Sequence, residues 1–133
     1  MHHHRGFHHR RARARRRLGP GEWAVRARVE RFVEPAVLLL LAEGPRHGYE
    51  LLERLPELVG DERVDVGNLY RFMRRLEEDG LVDSEWSAEL PGPAKRTYRL
   101  TDAGRQVLEQ WVAALRELQS ELATFLDRNA ERG

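Results

Sequence analysis

The chain has 133 residues, 41% apolar and 34% charged, which leaves room for one domain with a modest core plus an arm or tail. It contains no cysteine, which excludes disulfides, thiolate nucleophiles and Cys-type zinc sites and fits a reducing compartment, expected here to be the cytoplasm. The net charge of +1 hides an asymmetry: residues 1–20 hold seven arginines and no acid, so 16 of the 23 Lys and Arg face all 22 Asp and Glu in the rest.

In chain order, "MHHHRGFHHRRARARRRLGPG" (Met1–Gly21) joins low apolar content to like-charge repulsion and is expected to be a disordered His/Arg-rich tail. It lacks the apolar h-region of a signal peptide. Residues 22–32 are expected to form an N-terminal arm, with a short helix over Glu22–Arg31. "VEPAVLLLLAEGPRHG" reads as a buried helix, with Pro35 suiting a first helical position and Gly44-Pro45 stopping it. Its run Ala36–Ala42 is the longest apolar stretch and far too short to span a bilayer, so no membrane partner is expected. "HGYELLERL" sets Leu51, Leu52 and Leu55 on one face before Pro56 ends it, and "ELVGDERVD" reads as a loop.

"GNLYRFMRRLEEDGLV" follows, with Leu69, Phe72, Met73 and Leu76 at helical spacing and Gly80 where a C-terminal glycine cap belongs. "LVDSEWS" and "KRTYRLT" are strand-like, separated by a hairpin tip, "AELPGPA". The last segment starts at Thr101, an N-cap with Asp102 in its first turn. Its apolar positions Leu108, Trp111, Leu115, Leu118, Leu122 and Phe125 step by 3, 4, 3, 4, 3, the seam of a coiled coil, widened by Val112 and Leu126. The expected domains are a body of helices and a hairpin over 33–101, a dimerisation helix over 102–128 and a disordered end over 129–133.

Off the apolar face of "GNLYRFMRRLEE" lie Asn68, Tyr70, Arg71, Arg74 and Arg75. Asn68, Tyr70 and Arg71 lie in its first turn or so, and a helix presented N-terminus first to DNA puts its first turns against base edges, where Arg pairs bidentately with guanine and Asn with adenine. Tyrosine and the other arginines suit phosphate oxygens. Glu77, Glu78 and Asp79 sit at the far end, a gradient opposed to the helix dipole. A plain solvated face explains an arginine-rich helix equally well when the helix is taken alone. Two helices before it and a β-hairpin after it favour a winged helix-turn-helix, in which Lys95 and Arg96 beside the hairpin tip meet backbone phosphate.

The ordered pieces "LLLLAEGPRHGYEL", "GNLYRFMRRLEEDGLV", "SEW" and "TYRLTDAGRQVLEQW" resemble the PadR family of transcriptional regulators, from Val33 to about Trp111. The resemblance implies a mainly α fold with a small β-hairpin wing, a third helix that reads the major groove, and a homodimer made through the C-terminal helix. It further implies repression of operator DNA relieved by a small molecule or stress. Two departures stand out: Arg71 occupies a place where the family usually has proline, and the wing reads "PGPAKR" where a Gly-Gly-basic run is usual. Some such dimers hold a flat apolar ligand between their C-terminal helices and DNA-binding domains, which makes Trp111 a candidate effector contact beside its plainer role in a core.

No cofactor is expected. His47 and Glu50 stand at i, i+3 without a third ligand, so His47 reads as a capping or packing residue. The tail residues His2, His3, His4, His8 and His9 are weak metal candidates, because a flexible His cluster binds divalent metals promiscuously. Trp86 reads as core. Three functions compete: a DNA-binding regulator, a winged-helix adaptor between proteins, and a metal-responsive regulator using the His-rich tail. An enzyme is disfavoured, because no nucleophile–base constellation or phosphate-binding glycine loop is present.

Overall fold

A computed structural model of the chain describes residues 15–25, 31–60, 64–87 and 94–133 in two compact units, Met1–Arg31 and Phe32–Gly133. In the first, strand β1 (Arg15–Gly19) pairs antiparallel with β2 (Glu22–Val25), with Arg16 opposite Ala24 and an irregularity after Arg17. This corrects two expectations, a disordered tail through Gly21 and an arm helix from Glu22. Pro20-Gly21, with Gly21 at φ +75°, turns the chain, and the apolar and aromatic residues after it extend as a strand. The remaining parts of the expected tail and arm, 1–14 and 26–30, lie outside the described residues.

The larger unit is built on helix α1 (Val33–Glu43), whose apolar run is buried on most sides: Ala36, Val37, Leu38, Leu40 and Leu41 are inside, and Leu39 and the terminal Ala42 reach solvent. The helix starts two residues ahead of the expected position, so Pro35 is its third residue, still within the first turn, where a missing N–H costs nothing. A two-residue strand β3 (Arg46–His47) leads into α2 (Gly48–Arg54). Pro56 does end α2 but opens a further short helix, α3 (Pro56–Val59), in what was expected to be loop. Helix α4 (Val66–Glu78), strands β4 (Val82–Ser87) and β5 (Lys95–Leu100), and the long α5 (Asp102–Glu131) complete the order. The sheet order is β3-β5-β4, all antiparallel, with Arg46 opposite Tyr98 and Val82 opposite Leu100. The hairpin tip over 88–93 lies outside the described residues. The end expected to fray from residue 129 stays helical to Glu131, since nothing before Gly133 breaks it.

Leu38, Leu51, Leu55, Leu69, Met73, Leu76 and Val82 are fully buried together, so α1, α2, α4 and β4 share one core. Each such side chain stabilises the fold by about 1.5–3 kcal/mol. One joint then fastens the long helix to that body. Helix α4 ends in a Schellman motif: Gly80, at φ +78°, donates its N–H to the Glu77 carbonyl at 3.0 Å, and Leu81 donates to the Leu76 carbonyl at 2.9 Å. Thr101 closes on the same loop, its N–H reaching the Leu81 carbonyl at 3.1 Å and its hydroxyl the Gly80 carbonyl at 2.7 Å. The same hydroxyl accepts the Gly104 N–H at 3.0 Å and so caps α5.

Gly104 is the close-approach residue of this joint. A Cβ there would lie 2.1 Å from the Leu81 carbonyl oxygen and 2.5 Å from Leu100 Cδ1. Gly104→Ala therefore forces backbone apart and is expected to destabilise the chain by about 3 kcal/mol or more, read as a lowered urea midpoint. A second prediction concerns Tyr98, which is buried, and whose hydroxyl is pushed above the ordinary 10.0 by burial, with Glu77 adding to the shift and Arg96 opposing it. A raised folded-state pKa means that stability is level below pH 10 and falls as pH rises beyond it, by up to about 1.4 kcal/mol per pH unit. Denaturant midpoints between pH 9 and about 11 should show that fall in the wild type and a shallower one in Tyr98→Phe.

Candidate nucleic-acid interface

Helix α4 buries Leu69, Met73 and Leu76 at helical spacing, with Phe72 half-buried beside them, as the apolar pattern predicts. Geometry then leaves Asn68, Tyr70, Arg71, Arg74 and Arg75 exposed, all five where the sequence places them. The helix begins at an N-cap missed in the sequence, Asp65, whose Oδ1 accepts the Asn68 backbone N–H at 2.8 Å. Such a cap contributes about 1 kcal/mol and sets a carboxylate at the positive end of the helix dipole. Its signal was readable, an Asp just ahead of the periodic stretch.

The cap residue does more than close the helix. Asp65 Oδ2 accepts from Asn68 Nδ2 at 3.1 Å, and Asn68 Oδ1 in turn accepts from Arg71 Nη2. Asp65, Asn68 and Arg71 thus form one chain of side-chain hydrogen bonds along the exposed face. The Arg71 guanidinium folds back toward the first turn, with Nη1 3.8 Å from where a Cβ on Gly67 would stand. Tyr70 leans the other way, with its ring on the backbone of Gly48 at the start of α2.

On the wing, Lys95 is exposed and opposite Ser87, beside the tip as expected. Arg96 departs from its expected role. Its Nη2 lies 3.1 Å from Glu77 Oε1, its Nε donates to the Ser84 hydroxyl at 2.8 Å, and that hydroxyl donates to Glu77 Oε2 at 2.8 Å. The guanidinium also stands 5.6 Å from the Trp86 ring centroid and 5.8 Å from that of Tyr98. Arg96 therefore ties the wing to the end of α4 and is not held out for phosphate. Glu77, read as part of a poorly placed acidic end, finds its cation here. Trp86, read as core, is 65% exposed on β4 beneath this arginine.

The C-terminal seam divides in two. Leu108 and Trp111 pack against the chain's own core, and Trp111 Nε1 donates to Glu34 Oε2 on α1 at 2.7 Å. Leu115 and Leu118 are half-buried, whereas Leu122 is 52% and Phe125 70% exposed, with Leu126 beside them at 61%. His47 serves as cap and packing: its N–H donates to Glu50 Oε1 at 2.8 Å and its Nδ1 lies 3.2 Å from the Thr97 hydroxyl. Glu50 is thus occupied with the helix end. Among the described residues no group of three or more His, Cys, Asp or Glu could hold a metal ion, and the tail histidines lie outside those residues. No described helix is long and apolar enough to cross a membrane.

The transcriptional regulator Rv3488 of Mycobacterium tuberculosis is 41% identical over 94 residues, 71% of this chain and 75% of its own length. A crystal structure of a PadR family transcriptional regulator from Eggerthella lenta superposes with a TM-score of 0.56 at 33% identity, over 68% of this chain and 80% of that one. Bacillus subtilis PadR, solved in complex with operator DNA, has a TM-score of 0.55 at 26% identity, over 62% of this chain and 47% of that one. Residues 37–110, which run from α1 through α4 and the β4–β5 hairpin into the start of α5, match the model of the transcriptional regulator PadR-like family. With its winged helix and long C-terminal helix, the chain belongs to that family of transcriptional regulators.

Proposed function

We propose that this regulator is a homodimer that binds operator DNA sequence-specifically, acts as a repressor, and is released by a small molecule or stress signal. The observation that carries the reading is the exposed face of α4, where Asn68, Tyr70 and Arg71 in the N-terminal half and Arg74 beyond them form a polar surface on a helix anchored by its other side. Such a helix fits the major groove, with the first turn at base edges. One family relative supports the assignment, Bacillus subtilis PadR, which is named a negative transcriptional regulator and was crystallised in complex with operator DNA. Lys95 takes the wing's phosphate contact in this reading, and Arg74, Arg75 and Tyr70 take others.

The dimer reading rests on the second half of α5. Leu122, Phe125 and Leu126 expose a row of large apolar side chains that one copy of the chain leaves in water. A second copy laid along the seam buries them and holds two recognition helices about one DNA turn, roughly 34 Å, apart. In this reading the effector acts where α5 leaves the body, near Trp111 and Glu34, because a ligand displacing that indole hydrogen bond would free α5 to move against α1.

Leu122→Asp with Phe125→Asp touches only residues already in solvent, so the fold should hold while the dimer is lost. Sedimentation at micromolar concentration should show the wild type at twice the 15.5 kDa chain mass and the variant at one chain, with operator binding abolished. A wild-type mass of one chain overturns the dimer. The two wing cations should separate as well. Lys95→Ala is expected to weaken specific and random DNA alike and to flatten the slope of log K against log salt by about 0.9 for each phosphate no longer neutralised. Arg96→Ala should instead lower the melting temperature, because it leaves the half-buried Glu77 without its cation and the wing without its tie to α4.

A further inference from the structure

Among the polar residues of the recognition helix, the hydrogen-bond chain Asp65–Asn68–Arg71 assigns roles that the sequence leaves open. Asparagine reads adenine bidentately by offering both amide ends, the oxygen to the base amino group and the nitrogen to N7. In this chain each end of the Asn68 amide has one partner, Nδ2 at Asp65 Oδ2 (3.1 Å) and Oδ1 at Arg71 Nη2, and these two bonds hold the amide along the helix, turned away from a base in front of it. Arg71, by contrast, spends one of its five donors on Asn68 and keeps the rest of its planar fork. That fork is drawn back along the helix to the first turn, beside Gly67, which is the end that meets base edges.

Resting on the DNA-binding reading above, we propose that Arg71 is the base-reading side chain of this helix, directed at a guanine, and that Asn68 and Asp65 are positioning residues. Asp65 orients the Asn68 amide, and the amide orients the guanidinium. An arginine left to its own rotamers spends conformational entropy to form a bidentate pair, and one held at an anchored carbonyl loses less. Asp65 also answers, with its own carboxylate, the positive charge that draws the helix end to phosphate, so a neutral residue there should strengthen grip on any DNA while blurring the choice of sequence.

The test selects preferred sites from a random duplex library with the full-length protein and then measures Kd on the selected site and on random DNA. Two neutral variants of the cap separate stability from positioning. Asp65→Ser keeps an acceptor for the Asn68 N–H and loses the second oxygen. Asp65→Asn keeps the shape but can turn a donor toward the Asn68 Nδ2. The wild type should select a site with a guanine at one fixed place in each half, and Arg71→Ala should lose roughly 10- to 100-fold on that site and become indifferent at that base pair. Both cap variants should lower the preference at that same base pair several-fold, without weakening random DNA and with Asp65→Ser melting near the wild type. An adenine preference at a different base pair that vanishes in Asn68→Ala shows Asn68 reading for itself and overturns the proposal. So does an unchanged site in Asp65→Ser and Asp65→Asn when the wild type selects one. A wild type that selects no site removes the DNA-binding reading, and this inference with it.

Discussion

Within a few residues of Gly80, three elements share one set of backbone carbonyls. The last turn of α4 is closed by the Gly80 and Leu81 N–H groups, β4 departs directly after, and the Leu81 and Gly80 carbonyls receive Thr101, which caps α5. Because Gly104 sits against the Leu81 carbonyl with no room for a side chain, the start of α5 cannot drift away from the end of α4. A helix of 30 residues is about 45 Å long, so a small rotation at its base is a large displacement at its end. In the dimer proposed, the separation of two recognition helices passes through this joint in each copy, and a ligand acting near Trp111 would act on the same lever.

The arginines sort by what their neighbours ask of them. Arg96 is held by a carboxylate and a hydroxyl and lies near two aromatic rings, so it fixes the wing on the body. Arg46 similarly closes the end of α1, with Nε on the Leu40 carbonyl at 2.9 Å and Nη2 on Glu43. Arg71, Arg74 and Arg75 stand on the exposed face of α4. The acidic balance of the body is thus partly internal: Glu34, Glu43, Glu50, Asp65 and Glu77 each hold a donor of the same chain. A charge count read as repulsion toward DNA overstates it, because carboxylates already paired or capping present a weaker field.

What the sequence by itself determined is the part written in local periodicity and punctuation. Leu69, Met73 and Leu76 faced the core because apolar side chains three and four apart share one side of a helix, and that alone set Asn68, Arg71 and Arg74 on the other. Gly80 ended α4 and Thr101 began α5 for reasons confined to a single turn of backbone. Where local signals compete, the stronger composition cue misleads: the arginine run outweighs the Pro20-Gly21 turn, so the sequence predicts a tail and a helix where the structure has a hairpin.

Only the tertiary structure decided which charges are free. Arg96 and Glu77 are 19 residues apart, Trp111 and Glu34 77 apart, and His47 and Thr97 50 apart. No periodicity links such pairs; they meet because β5 lies between β3 and β4 and because α5 returns along α1. The same folding split the seam of α5, which is uniform in its 3, 4 spacing, into a part absorbed by the chain's own core and a part left in water. Spacing along a helix tells which residues share a face, whereas the surface that covers the face belongs to segments distant in sequence, and only their packing supplies it.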